Sequence, residues 1–177
     1  MDVQTRIKER LLDGISLPDT MHGWRKGHSP GTYAQSHHRK SVVINVDIKD
    51  FYPSVSSGRV YSMWVAMGYS VHAAKILTLL TTCDNQLPQG SRTSQSIGNL
   101  LLLGVDRRLR GLQKKHRLAY SNYADEVTLS GPERTDVRFK KLLLKIIRQE
   151  GFDVDTENPK KFKIMKQHER QKLPAEW

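Results

Sequence analysis

Three features of this sequence predict an α+β fold, a mostly antiparallel sheet backed by helices. First, a β-branched run (Val42, Val43, Ile44, Val46) leads straight into Asp47. A continuous apolar run of this kind reads as a strand buried on both faces. Second, residues 118–123 and 127–130 flank the acidic pair Asp125-Glu126. They read as a β-hairpin with both acids at or beside its turn. Third, helical periodicity fills the rest, giving the order strand, two helices, long helix, hairpin, helix, strand.

In chain order, Val3, Ile7, Leu11 and Ile15 recur at helical spacing between charged residues, and Pro18 closes this amphipathic helix. Residues 21–40 carry Gly23, Gly27, Pro30 and Gly31 among basic side chains, which reads as a loop whose cations can hold phosphates. Its histidines lack soft-ligand spacing, which argues against zinc. Residues 56–67 predict a helix with Val60, Trp64 and Met67 on one face. Ser70 caps the next, 71–82, whose stripe Ala73, Ile76, Leu77 and Leu80 reads as core. Residues 87–91 form a turn. From Thr93 a long helix runs to Lys115, burying Ile97, Leu101, Val105, Leu109 and Leu112. The cations of its last turns suit the helix dipole or a nucleic-acid groove. After the hairpin, Thr135 or Asp136 caps a helix ending at Gly151, with Phe139, Leu143, Ile146 and Ile147 inward. Residues 152–155 alternate as a strand, with 162–164 as its partner. Residues 166–177 are polar and read as a frayed tail.

With 177 residues, one domain with one real core is expected. A net charge of +11 favours a polyanionic partner, nucleic acid first, over a merely solvated basic surface. The single cysteine, Cys83, excludes an internal disulfide and a cysteine zinc cluster. There is no bilayer-spanning apolar run and no signal segment, so a cytoplasmic location is the default expectation.

If the Asp47 strand and the hairpin are neighbours, three or four carboxylates converge on one patch. Like charges so close are unfavourable unless a positive group sits among them. Hard divalent cations with oxygen ligands, such as Mg²⁺, are the usual answer.

At this point the sequence resembles the palm of bacterial reverse transcriptases of the retron and group II intron type, over roughly residues 20–165. Four segments carry the likeness, in the family's order. Asp47-Ile48-Lys49-Asp50-Phe51-Tyr52-Pro53-Ser54 is similar to its first catalytic motif. Leu87-Pro88-Gln89-Gly90, with Ser94 and Asn99, is similar to the template- and nucleotide-positioning motif. Tyr123-Ala124-Asp125-Glu126 is similar to the second catalytic motif, usually Tyr-Ala-Asp-Asp. Gly151-Phe152, with Asn158 and Lys160-Lys161, is similar to the motif whose lysine lies near the incoming nucleotide. The upstream His22-Gly23-Trp24, with Gly27 and Ser29, also resembles the segment before the first motif in retron-type enzymes.

The resemblance implies a polymerase palm at 41–165, preceded by a partial fingers segment with a basic loop at 1–40, with no thumb and a tail at 166–177. It implies nucleotidyl transfer onto a primer 3′-hydroxyl, with an RNA template, a DNA or RNA primer and deoxynucleoside triphosphates. Two Mg²⁺ ions, or Mn²⁺ in their place, would lie about 4 Å apart. Asp47, Asp125 and Glu126 would be catalytic acids and metal ligands, with the Ile48 carbonyl completing a shell. Tyr52 would be the steric gate beneath the sugar, and Gln89 and Gly90 would approach template base and nucleotide. Lys161, or its neighbour Lys160, would neutralise pyrophosphate or donate a proton to it. A second chain supplying fingers or thumb would complete such an enzyme.

The departures bear on activity. Glu126 stands where the family usually has Asp, Tyr33-Ala34 where it has Asn-Ala, and His28 where an arginine helps bind phosphate. Ser91-Arg92-Thr93-Ser94-Gln95 replaces the common Ala-Pro-Thr-Ser-Pro. These support an alternative: a catalytically degenerate palm that binds nucleic acid or protein. A nucleotidyl cyclase, which has a similar palm, is disfavoured because its Gly-Gly-Asp/Glu-Glu-Phe signature is absent. The resembled family spans retrons, mobile introns and antiviral-defence enzymes, and no residue here separates them.

Overall fold

The computed structural model describes residues 2–159 and 161–166. In chain order the elements are α1 (Val3–Ile7), continued by a π-helical turn (Lys8–Leu12), α2 (Pro30–Gln35), β1 (Val42–Asp47), α3 (Phe51–Ser54), α4 (Ser57–Ala66), α5 (Val71–Thr81), α6 (Ser94–Leu101), α7 (Leu103–His116), β2 (Ala119–Tyr123), β3 (Glu126–Gly131), a 3₁₀ turn (Glu133–Thr135), α8 (Asp136–Gln149) and β4 (Phe162–Lys166). They form two compact units. One holds the residues up to Leu17 with Asp50–Leu103; the other holds Pro18–Lys49 with the described residues from Gly104 onward. Among the described residues no helix is long and apolar enough to cross a membrane.

The second unit is built on a four-stranded antiparallel sheet ordered β2-β3-β1-β4. The β-branched run is β1, flanked by β3 and β4 and buried along its length as far as Val46. Strand alternation sorts its two faces. Val42, Ile44 and Val46 share one with Val127, Leu129, Phe162 and Ile164. Helix α8 packs against β1 and buries Leu143 and Ile147, and its Lys140 ammonium lies over the Phe162 ring. Val43, Asn45 and Asp47 share the opposite face with Ser130, Thr128 and Glu126.

The 21–40 segment is more ordered than its Gly and Pro content predicts. Ser29 and Thr32 form a capping box with Pro30 at the start of α2. His22 and His37 are buried there rather than offered to phosphates. Met21 bridges to Asn122, because Thr20 and His22 exchange backbone bonds with that residue.

In the first unit, Ser56 and Ser70 cap α4 and α5 as expected. The apolar stripe of α5 is not core. Ile76 and Leu80 are exposed and Leu79 is 78% exposed, while Ala74, Thr78 and Thr81 are buried. Small side chains let α5 approach α4 closely. The threonine hydroxyls donate back to carbonyls one turn earlier, Thr78 to Ala74 at 2.7 Å and Thr81 to Leu77 at 2.7 Å, so their burial leaves no orphan donor.

Three further expectations change. The N-terminal helix widens at Lys8–Leu12, where Asp13 N–H bonds five residues back to the Lys8 carbonyl, and Val3 turns outward. The long helix is interrupted at Leu102, between Gly98 and Gly104, so Leu102 is buried rather than Leu101; glycine holds a helix weakly. Residues 152–155 contribute one bridge, Val154 to Ile48, and β4 pairs with β1 instead. Of the tail, Lys166 ends β4, and 167–177 lie outside the described residues.

Candidate active site

Asp47, the last residue of β1, lies directly opposite Glu126, the first residue of β3. In an antiparallel pair, opposite residues project from the same face. Tyr123 pairs with Glu126 across the hairpin, leaving Ala124 and Asp125 as a two-residue turn. Ala124 has φ of +54°, the left-handed conformation such turns require. The Asp125 carbonyl accepts from Ile48 N–H at 3.0 Å, tying the turn to the residue after Asp47.

Gly23 explains how the turn is held from behind. A Cβ there would lie 2.9 Å from the Ala124 Cα, against backbone that cannot swing away. Only glycine permits that approach.

The carboxylates strain against one another. Burial raises the Asp125 carboxyl pKa, helped by the charge of Asp47 and opposed by Lys161. Glu126 is pushed up to about 7, first by burial, then by the charges of Asp125 and Asp47. Lys161 offers the compensating charge: its Nζ lies 3.2 Å from Asp47 Oδ1, and its carbonyl accepts from Asp47 N–H at 2.8 Å. Among the described residues no group of three His, Cys, Asp or Glu side chains stands ready to hold a metal ion. The donor chemistry of Asp47, Asp125 and Glu126 nonetheless suits a hard divalent cation. All are oxygen ligands, and their mutual repulsion is what such an ion would relieve.

The structure therefore brings together Asp47, Ile48, Asp125, Glu126 and Lys161. Lys160 lies outside the described residues. Tyr52, Gln89 and Gly90 belong to the first unit. There, Tyr52 follows the left-handed Asp50 (φ 44°) on α3, its ring edge-on to Phe51 at 5.2 Å. Gly98 of α6 makes room for Phe51, since a Cβ would sit 2.8 Å from its ring. Gln89 and Gly90 are exposed, and Gly90 turns the chain at φ +81°. Ser94, at the start of α6, donates to the Pro88 carbonyl at 2.6 Å.

The basic run of α7 divides. Arg110 pairs with the buried Asp106 at 2.7 Å and Arg108 with Glu150 at 3.2 Å, whereas Arg107, Lys114 and Lys115 are exposed.

Sequence reading missed the layer beneath the acids. Asn45 donates to Thr128 Oγ1 at 2.8 Å and lies 3.2 Å from Tyr33 Oη, which is itself hydrogen-bonded to Thr128. Each His37 ring nitrogen is 2.7 Å from a serine hydroxyl, Ser130 or Ser121. The legible signal was alternation in β3 (Glu126, Thr128, Ser130) and Asn45 two residues before Asp47 in β1, which an antiparallel pairing stacks on one face.

No protein-family model matches the chain. In sequence it is 33% identical over 174 residues to the retron Mx65 reverse transcriptase of Myxococcus xanthus, covering 88% of this chain and 41% of that protein. It is 29% identical over 155 residues to the retron Ec86 reverse transcriptase of Escherichia coli, covering 87% of this chain and 48% of that one. The chain thus spans less than half the length of these relatives. In fold, it superposes on telomerase from Candida albicans, solved with a fragment of telomeric RNA, with a TM-score of 0.62. That match has 10% identity and covers 93% of this chain and 34% of the telomerase chain. By sequence over most of its length this chain is similar to retron reverse transcriptases, and its fold is that of a reverse transcriptase, telomerase.

Proposed function

We propose that this chain is the palm of an RNA-directed DNA polymerase, adding deoxynucleotides to a primer 3′-hydroxyl on an RNA template. In this reading residues 41–165 are the palm and residues 1–40 lie on the fingers side. The observation that supports it most directly is the β1–β3 register, which sets Asp47 against Glu126 with Asp125 in the adjoining turn, in a relative of retron reverse transcriptases.

Asp47 and Asp125, with the Ile48 carbonyl, would hold divalent cations, and Glu126 is the outer acid. Such ions, Mg²⁺ or Mn²⁺, activate the attacking hydroxyl and stabilise departing pyrophosphate when bound. Lys161, already beside Asp47, supplies mobile positive charge or a proton for the leaving group, with Lys160 as its neighbour. By the likeness of its motif, Tyr52 excludes a 2′-hydroxyl, and Gln89 and Gly90 orient template base and nucleotide. The exposed cations of α7 suit a nucleic-acid backbone, and the cytoplasm is the proposed setting.

A second reading, a palm that binds nucleic acid without chemistry, draws on one observation: the Lys161 ammonium already neutralises Asp47. Primer extension on an RNA template, with Mg²⁺ and then Mn²⁺, separates the two. Extension by the parent chain and a loss of at least about 100-fold in Asp47→Asn is the expected result. Salt-dependent RNA binding with no extension under either metal would favour the second reading.

A further inference from the structure

Helix α8 sorts its residues by charge as well as by hydropathy. Leu143, Ile146 and Ile147 are buried. On the opposite side Arg138, Lys141, Lys145 and Arg148 are exposed. Steps of three and four residues put these cations in one row along the helix, about 15 Å long. No acid lies between Asp136 and Glu150. Glu150 is engaged by Arg108 at 3.2 Å. Asp153 pairs with Arg148 at 3.4 Å, with both side chains more than half exposed, so water weakens that pairing. Lys141, Lys145 and Arg148, with Leu144 and Gln149, also line an open hollow of about 410 Å³.

This row faces away from the acids. The Lys140 ammonium lies over the Phe162 ring, and Phe162 pairs with Val46, so α8 covers the apolar face of the sheet. Asp47 and Glu126 project from the other face. The end of α7 joins α8: the His116 ring meets Phe139 edge-on at 5.0 Å, and Lys114, Lys115 and Arg117 around it are exposed. A primer–template seated at the acids leaves these cations behind the sheet unused.

The pattern selects among polyanions. A membrane surface calls for apolar side chains that insert between headgroups, and among its described side chains α8 exposes no large apolar residue. A single strand calls for aromatic platforms, and Phe139, the one aromatic residue of α8, is engaged by His116. A regular row of phosphates fits, as on the outside of a duplex, where shape and backbone are what is recognised. We propose that the outer face of α8 holds a duplex segment of RNA by its phosphates, on the side of the sheet away from the acids. The choice of RNA rests on the polymerase reading; the duplex preference rests on the row itself.

The test uses a closed RNA dumbbell with a stem of about 16 base pairs, which offers a duplex and no primer end. Fluorescence anisotropy reads its binding across a salt series. Lys141→Gln with Lys145→Gln should weaken binding by about tenfold at low salt and reduce the salt slope by about 2. Lys141→Arg with Lys145→Arg keeps the charge and should bind as the parent does. Arg10→Gln with Lys75→Gln removes the same charge from exposed positions of the other unit and should stay within about twofold of the parent. Equal loss in the two Gln pairs, no loss in either, or no dumbbell binding by the parent overturns the proposal. So does tighter binding of a DNA dumbbell, of a single RNA strand of equal length, or of phosphatidylserine vesicles. Asp47→Asn should lose extension and keep dumbbell binding. If the parent binds the dumbbell with this salt slope and extends no primer, the polymerase reading fails and the duplex surface stands.

Discussion

Asp47 and Lys161 are joined twice. The Asp47 amide donates to the Lys161 carbonyl at 2.8 Å, and the Lys161 ammonium returns to Asp47 Oδ1 at 3.2 Å. The backbone bond sets the lysine at the mouth of the acid cluster, and the ion pair holds it there, with both side chains partly solvated. An exposed pair of this kind contributes little stability, so its placement matters more for chemistry than for folding. Lys161→Met should lower the extension rate by about 100-fold while barely shifting the unfolding midpoint. Lys161→Arg should recover only part of the rate, because a guanidinium is not a point charge. Steady-state kinetics and denaturant titration check both, and an unchanged rate removes Lys161 from the site.

Gly23 should tolerate no side chain. Gly23→Ala drives a Cβ into Ala124 backbone and displaces the turn that carries Asp125. A shift near 1 Å costs roughly 100-fold in positioned catalysis, so extension should fall by about that factor. Gly14→Ala meets nothing within 4 Å and should match the parent. Equal rates for the two variants would dissociate the turn from activity.

Burial holds His37 neutral, with its pKa lowered from 6.5 to about 3. The folded-state pKa is the lower one. Stability is therefore full above pH 6.5 and falls as pH drops from 6.5 towards 3, where only the unfolded chain takes the proton. The loss is about 1.4 kcal/mol per pH unit in that window. Glu126, pushed up to about 7, contributes with the opposite sign in the same window, so the His37 part is read as the difference between parent and His37→Gln urea midpoints at pH 7.5 and 5.5. Identical pH dependence in the two would contradict the buried, neutral assignment.

Gly98→Val should act on nucleotide choice rather than on the acids. Its side chain would press on Phe51, 2.8 Å from the added Cβ, and Tyr52 packs edge-on against that ring. Ribonucleotide incorporation should rise by about tenfold, and by more in Tyr52→Ala, if Tyr52 is the gate. Single-nucleotide insertion with matched ribo- and deoxynucleotides measures this. Unaltered selectivity in both variants would remove the gate assignment.

The inward face of α5 can be checked by stability alone. Ala74→Leu overfills the contact with α4 and should cost about 1–3 kcal/mol. Ile76→Ser changes an exposed residue of the predicted stripe and should fall within about 0.5 kcal/mol of the parent. The opposite ranking would restore the apolar stripe as core.

How far the sequence reached follows from which interactions are local. The α+β class, the buried β1 strand, the hairpin with Asp125 in its turn and the serine caps of α4 and α5 were legible, because alternation, turn chemistry and capping act between residues close in the chain. The acidic motifs were legible for a different reason: they resemble residues of a known family. Partnership across the chain was decided by tertiary structure. The α5 stripe failed because packing against α4 selected small residues over apolar ones. Residues 152–155 failed because β1 took β4 as its second neighbour. The Asn45, Tyr33 and Thr128 layer and the pairing of Lys161 with Asp47 join residues far apart in sequence. The first depends on the β1–β3 register and the second on the β1–β4 register, which strand patterns limit but only the folded sheet selects.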